Sequence, residues 1–145
     1  MSGRVVERVA TPEEHAALAA SVGWESHFDE ELRSASLRGS IAGVVYLDDA
    51  DGAVGMARAV GDGLQYAYIQ DVIVHPDHEG EGIATELVAR LIDLLRPPPG
   101  TDIFIGLFAS EEAHGVYESL GFSSTGAIGM HQRVASPGDA GGQPS

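Results

Sequence analysis

Apolar and polar positions along this chain change their repeat several times, and each change marks an element. Arg4 to Ala10 reads as a short first strand. Thr11-Pro12-Glu13-Glu14 has the make-up of a helix start: threonine as N-cap, proline at the first helical position, glutamate to close a capping box. That helix continues through His15 to Val22 and stops at Gly23. A second covers Phe28 to Leu37, with Asp29 as its cap and Gly39 as its stop. The pattern then becomes that of strands. Ser40 to Leu47, Ala53 to Val60 and Leu64 to Val74 are separated by the turns Asp49-Ala50-Asp51-Gly52 and Gly61-Asp62-Gly63, which predicts an antiparallel meander.

Past the meander, Glu79 to Ala84 is a glycine-rich loop and Thr85 to Leu95 the clearest helix, with Leu87, Val88, Leu91, Ile92, Leu94 and Leu95 on its apolar stripe. Pro97-Pro98-Pro99-Gly100 ends it. Asp102 to Phe108 reads as a buried, parallel strand, Glu111 to Leu120 as a helix ended by Gly121, and Ala127 to Val134 as a last strand. Ser136 to Ser145 has the composition of a loose tail, so the domain is expected over 1–135 and the tail over 136–145. A strand–helix–strand crossover after an antiparallel meander implies a mixed sheet and an α/β or α+β fold, flanked by about four helices.

Charge narrows the partners. The chain of 145 residues carries a net charge of −14 and contains no lysine. Phosphate backbones are gripped mainly by Lys and Arg, so nucleic acid is not an expected partner, whereas a small cation is favourably steered. Solubility alone is the plainer account of such acidity. No apolar run approaches the ~20 residues of a membrane span, and Met1 to Val9 lacks the apolar core of a signal peptide. The absence of cysteine removes disulfides, thiolate metal sites and cysteine nucleophiles, and fits a cytoplasmic setting.

The chemistry concentrates where Val72-Ile73-Val74-His75-Pro76 runs through Asp77-His78-Glu79-Gly80-Glu81-Gly82-Ile83-Ala84 into the long helix. Helix N-termini present unpaired amides and about half a positive charge, and glycines remove the Cβ atoms that would hold a phosphate away. Such a turn takes a pyrophosphate without lysine. It also serves as a plain connection. The lysine-bearing phosphate loop and the dinucleotide fingerprint are both absent.

Gln70-Asp71-Val72-Ile73-Val74-His75-Pro76, followed by Glu79-Gly80-Glu81-Gly82-Ile83-Ala84, resembles the acetyl-CoA motif of the GNAT acyltransferase superfamily. Gly82 and Ala84 match its last two key positions, and Glu79 departs from the Gln or Arg usual at its first. Tyr117-Glu118-Ser119-Leu120-Gly121-Phe122 resembles the superfamily's late Tyr-x-x-x-Gly-Phe segment. The resemblance spans about Val5 to Val134. It implies a GNAT-type mixed sheet and an enzyme moving an acetyl group from acetyl-CoA, as co-substrate and without a metal, directly to a primary amine in a ternary complex. The backbone of Val72, Ile73 and Val74 would hold the pantetheine arm. The amides of Glu79, Gly80, Glu81, Gly82, Ile83 and Ala84 would hold the pyrophosphate, joined by Thr85 and, from the later helix, Ser110. The side chain of Glu79 is expected to face solvent, because a carboxylate repels a diphosphate. A homodimer is a family-level expectation.

Acyl transfer to an amine requires removal of a proton, stabilisation of the carbonyl oxygen and protonation of the departing thiolate. Asp71 is the first candidate base, directly or through water, and Tyr117 the candidate acid. Strand alternation predicts that Gln70 and Asp71 face opposite ways. Solvated carboxylate and core tyrosine are the bland alternatives. His75, His78, His114 and His131 read as loop or surface residues. Ser110 reads first as a cap. Trp24 and Phe28, with Arg58, Tyr68 and Met130, are candidate walls for the acceptor, which is expected to be a small amine. A non-catalytic CoA-binding sensor and a protein-interaction domain are the rival readings.

Overall fold

The computed structural model describes residues 3–138. Its strands β1 (Gly3–Val6), β2 (Ala42–Asp48), β3 (Ala53–Gly61) and β4 (Tyr66–Val74) pair antiparallel in chain order, and β5 (Phe104–Gly106) joins β4 in parallel. The helices are α1 (Pro12–Ser21), α2 (Glu30–Arg38), α3 (Ile83–Leu94) and α4 (His114–Ser119), with one-turn 3₁₀ segments at Glu25–His27 and Pro76–His78. This is the mixed sheet expected.

Alternation along the strands sorts the core into two layers. Val44, Tyr46, Ala57, Ala59, Ala67 and Ile69 pack beneath Ile83, Leu87, Val88 and Leu91 of α3. Val45, Leu47, Met56 and Ile73 face the other way, onto Ala10, Leu18 and Ala19 beside and on α1. Small residues let α3 approach closely: a Cβ on Gly55 would lie 3.0 Å from Leu87 Cδ1. The start of α1 is fixed by the capping box, with Glu14 N donating to Thr11 Oγ1 at 3.1 Å and Thr11 N to Glu14 Oε1 at 2.9 Å. Asp29 caps α2 by accepting from Glu31 N at 2.9 Å.

The structure corrects several sequence expectations. β1 ends at Val6, and α3 begins at Ile83, before Thr85. Glu111 to Ala113 form a turn, leaving α4 only His114–Ser119. Ala127 to Val134 form no strand; Ile128, Met130 and Val134 are almost fully exposed there. Strand-like composition produces a strand only where a neighbouring backbone supplies the ladder, and this segment has none. Of the tail expected over 136–145, residues 136–138 are exposed and irregular, and 139–145 lie outside the described residues.

One irregularity positions the site. Met56 pairs with Ile73, but Arg58 pairs with Gln70, so β4 holds an extra residue at this point. The bulge is taken up at Asp71, whose φ of 57° lies in the left-handed region, one of the few non-glycine residue types that tolerate it. Ala67 and Ile69 face α3, whereas Asp71 reaches His15 of α1 and Ile73 packs on the α1 side. Alternation is therefore broken between Gln70 and Asp71. The expectation that they point apart fails, and Gln70 Nε2 donates to Asp71 Oδ1 at 3.1 Å.

Candidate active site

The mouth of α3 is open at the level of the backbone. Gly80 and Gly82 both lie in the left-handed region, at φ 80° and 79°, and a Cβ on either would meet nothing within 4 Å. Gly82 is the N-cap and supplies no side-chain bond. The amides of Gly80 through Thr85 donate to no acceptor among the described residues. Consecutive free amides at a helix N-terminus favour an anion, through both their hydrogens and the helix dipole. Glu79 is exposed, and Glu81 stands 3.2 Å from His78 Nδ1.

Beside this mouth the sheet opens. The parallel pairing of β4 with β5 ends at Tyr68 opposite Gly106, so Val72, Ile73 and Val74 have no strand partner on their β5 side. Tyr117, on α4, belongs to the core layer under α3 and packs edge-on against Phe122, ring centres 5.9 Å apart. Burial pushes the Tyr117 phenol above its usual pKa. Its hydroxyl bonds to no described protein group and is not sealed from solvent.

On the opposite face of the bulge lies a chain of buried polar groups. Arg58 Nε donates to Asp71 Oδ2 at 2.8 Å, and His15 Nε2 meets the same oxygen at 3.2 Å. Arg33 Nε donates to His15 Nδ1 at 3.0 Å. Guanidinium nitrogens can only donate, so His15 offers a lone pair at Nδ1 and carries its proton at Nε2. Arg58 also reaches the Ser36 carbonyl at 3.2 Å and Ser40 Oγ at 3.1 Å. Burial, the largest influence on Asp71, pushes its pKa up. The His15 bond, the Arg58 pair and the Gln70 bond together outweigh it and hold the carboxyl below its ordinary value.

His15, Arg33 and Arg58 line a cleft of about 200 Å³ between α1, α2 and β3, together with Phe28 and His27, and Phe28 packs edge-on with His15, ring centres 4.5 Å apart. The structure thus sets Phe28 and Arg58 in the cleft and Asp71 behind Arg58, buried beneath it. It leaves others apart. Trp24 is 39% exposed, packs against His27 and is not part of the cleft. Tyr68 meets Phe108 edge-to-face, ring centres 6.0 Å apart, at the strand opening. Met130 is 87% exposed on an irregular segment. Ser110 Oγ accepts from Ala113 N at 3.3 Å and caps the turn before α4. Among the described residues no group of three or more His, Asp or Glu side chains forms a metal cluster. No helix there is long and apolar enough to cross a membrane.

His15 and Arg33 are the residues that sequence reasoning missed. The signal was available: His15 shares a helical stripe with Leu18, Ala19 and Val22, and Arg33 lies one turn before Leu37 on the buried face of α2. A polar residue in an apolar stripe is buried with it and must find a partner.

The profile of the Acetyltransferase (GNAT) family matches residues 9–122. An uncharacterized N-acetyltransferase of Pyropia yezoensis, ycf52, is 35% identical over 72% of this chain and 60% of its own length. The rice (Oryza sativa subsp. japonica) protein named serotonin N-acetyltransferase 2, chloroplastic, is 34% identical over 72% of this chain and 52% of its own. The chain thus spans a little over half the length of these curated relatives. A probable acetyltransferase from Staphylococcus aureus superposes with a TM-score of 0.80 at 23% identity, covering 92% of this chain and all of that one, which bears on the fold.

Proposed function

This chain belongs to the GNAT acetyltransferase family, and we propose that it moves the acetyl group of acetyl-CoA directly to the primary amine of a small molecule. The observation that carries this reading is the row of free amides from Gly80 to Thr85 at the mouth of α3, beside the point where β4 parts from β5. The diphosphate fits those amides, including those of Gly80, Glu81, Gly82, Ile83 and Ala84, with the Thr85 hydroxyl in reach of the same mouth. The unpaired edge of Val72 to Val74 suits the extended pantetheine arm, which adds to the sheet as a strand would. Ser110, engaged in its own turn, is left a minor part.

The thioester then lies near the bulge, and the amine approaches from the cleft. An alkyl ammonium with a pKa near ~10 gives up about 4 kcal/mol to be deprotonated at neutral pH. The ammonium first gives one proton to solvent; attack by the neutral amine then forms the C–N bond and breaks the C–S bond. Tyr117 gives its proton to the departing thiolate, and the second proton shed by the nitrogen restores the phenol through water. Tyr117 suits the proton transfer to sulfur: burial raises its pKa, so it is protonated at neutral pH, and its hydroxyl has no competing partner among the described residues. Asp71 has both oxygens engaged and is held a weak base. In this reading it stays ionised, orients Arg58 and His15 and favours a cation on the acceptor side. The rice relative's named substrate, serotonin, is a small primary amine and supports that acceptor class.

The test is release of free thiol from acetyl-CoA in the presence of a panel of primary amines. Acetylated amine in step with thiol is expected; thiol at background with every amine tried, alongside normal folding, would reject the activity. Gly82→Val probes the coenzyme seat separately. A side chain at φ 79° strains the backbone by about 1–2 kcal/mol. It also crowds the amides, so the affinity for CoA measured by calorimetry is expected to fall about tenfold or more, equivalent to one lost charge-assisted hydrogen bond. Unchanged affinity would place the diphosphate elsewhere.

A further inference from the structure

We propose that the acceptor amine carries a carboxylate, and that Arg33 is its seat. This rests on the acetyltransferase reading above and narrows its substrate class. The cleft between α1 and α2 contains an arginine whose pairing is incomplete. Arg33 is buried, 8% exposed, yet only part of its fork is used. Its Nε donates to His15 Nδ1 at 3.0 Å. Its Nη1 meets Glu30 Oε1 at 3.3 Å, and that glutamate side chain is 85% exposed. Nη2 meets no acceptor among the described residues, and no buried side-chain nitrogen there lacks a partner, so Nη2 is not sealed from solvent, and Arg33 lines the cleft.

The local charge makes the vacancy anionic in preference. Arg58 lines the same cleft, but its charge is matched by Asp71 at 2.8 Å. Asp29 also lines the cleft; its Oδ1 accepts from Glu31 N, and its charge favours the ammonium end of an acceptor that carries both charges. Arg33 is left opposite an imidazole, which carries no balancing negative charge, and a solvated glutamate that water screens. A buried guanidinium with a free donor edge recognises a planar oxyanion better than any other small group. Phe28, Leu32 and Leu37 give the lining its apolar part, which suits a short aliphatic linker between carboxylate and amine. Arg58 joins the seat to the reaction end, since its Nε holds Asp71 at the bulge. An amino acid, with the ammonium steered by the surrounding acids and the carboxylate held by Arg33, satisfies both ends.

The experiment compares amino acids of increasing amine-to-carboxylate separation with their own amides, using acetyl-CoA, thiol release and the full chain. The acids are expected to exceed their amides in kcat/KM by about tenfold or more, mostly through KM, for at least one separation. Arg33→Met is expected to erase the preference, and Arg33→Lys, which keeps the charge but loses the fork, to restore part of it. Acids and amides used alike by the wild-type protein would overturn the proposal without any variant having to fold. If no amine at all releases thiol, the acetyltransferase reading fails. Calorimetry of the wild-type protein with the acetylated amino acids and their amides then decides the seat. Binding of the acids alone supports it, and binding of neither overturns it.

Discussion

Replacing Tyr117 with phenylalanine is expected to lower the rate of acetyl transfer about a hundredfold, the lower end of what a positioned general acid contributes, while leaving the fold intact. The separation of the two effects follows from the environment of the ring. Its aromatic face packs on Phe122 and the core beneath α3, and phenylalanine fills the same space. The hydroxyl bonds to no described group, so its loss orphans nothing. What disappears, in the proposed mechanism, is the proton donor for the leaving thiolate, a phenol whose pKa burial raises. Single-turnover measurement of thiol release separates this step from product release. An unchanged single-turnover rate would remove Tyr117 from the chemistry. The raised phenol also fixes a pH signature: no loss of rate from Tyr117 ionising is expected until above the ordinary phenol value of about 10.

The largest effect on stability is expected at Asp71. Asp71→Asn keeps a residue type that tolerates the left-handed bulge, so the backbone is unchanged, but it removes the charge that balances Arg58. Stranding one partner of a buried pair costs about 3 kcal/mol or more. Asp71→Ala should be worse by about 1–2 kcal/mol, because alanine also resists that φ. Urea denaturation of the three proteins measures both increments. Equal midpoints for wild type and Asp71→Asn would mean that solvent already screens the pair. Acid does to Asp71 what asparagine does. Its pKa is lower folded than unfolded, so its contribution to stability is full above the ordinary carboxylate value of about 3.9 and is lost as pH falls from there through the depressed folded value. The Asp71→Asn protein should lack that part of the acid transition.

Elements whose signal is local were legible in the chain. The capping box at Thr11–Glu14, the Asp29 cap, the turns of the meander and the stripe of α3 depend on neighbours a few residues apart, and all formed. The glycine-rich loop before α3 was legible as well, though only the structure shows that Gly80 and Gly82 lie in the left-handed region. The failures share one cause. Ala127 to Val134 has strand composition, but a strand exists only when another backbone is beside it. The relative facing of Gln70 and Asp71 was misread because alternation holds within a regular ladder. The bulge arises from the register of β4 against β3, a property of two strands at once.

By itself, then, the sequence determined the order of elements as far as α4, the mixed sheet and the glycine-rich mouth of α3, because short-range spacing and backbone chemistry suffice for each. Tertiary structure alone decided which side chains meet at the bulge. His15, Arg33, Arg58 and Asp71 come from α1, α2, β3 and β4, and their partnership exists only after both helices fold over one face of the sheet. Burial then forces those charges to pair, because an unpartnered charge is costly away from water.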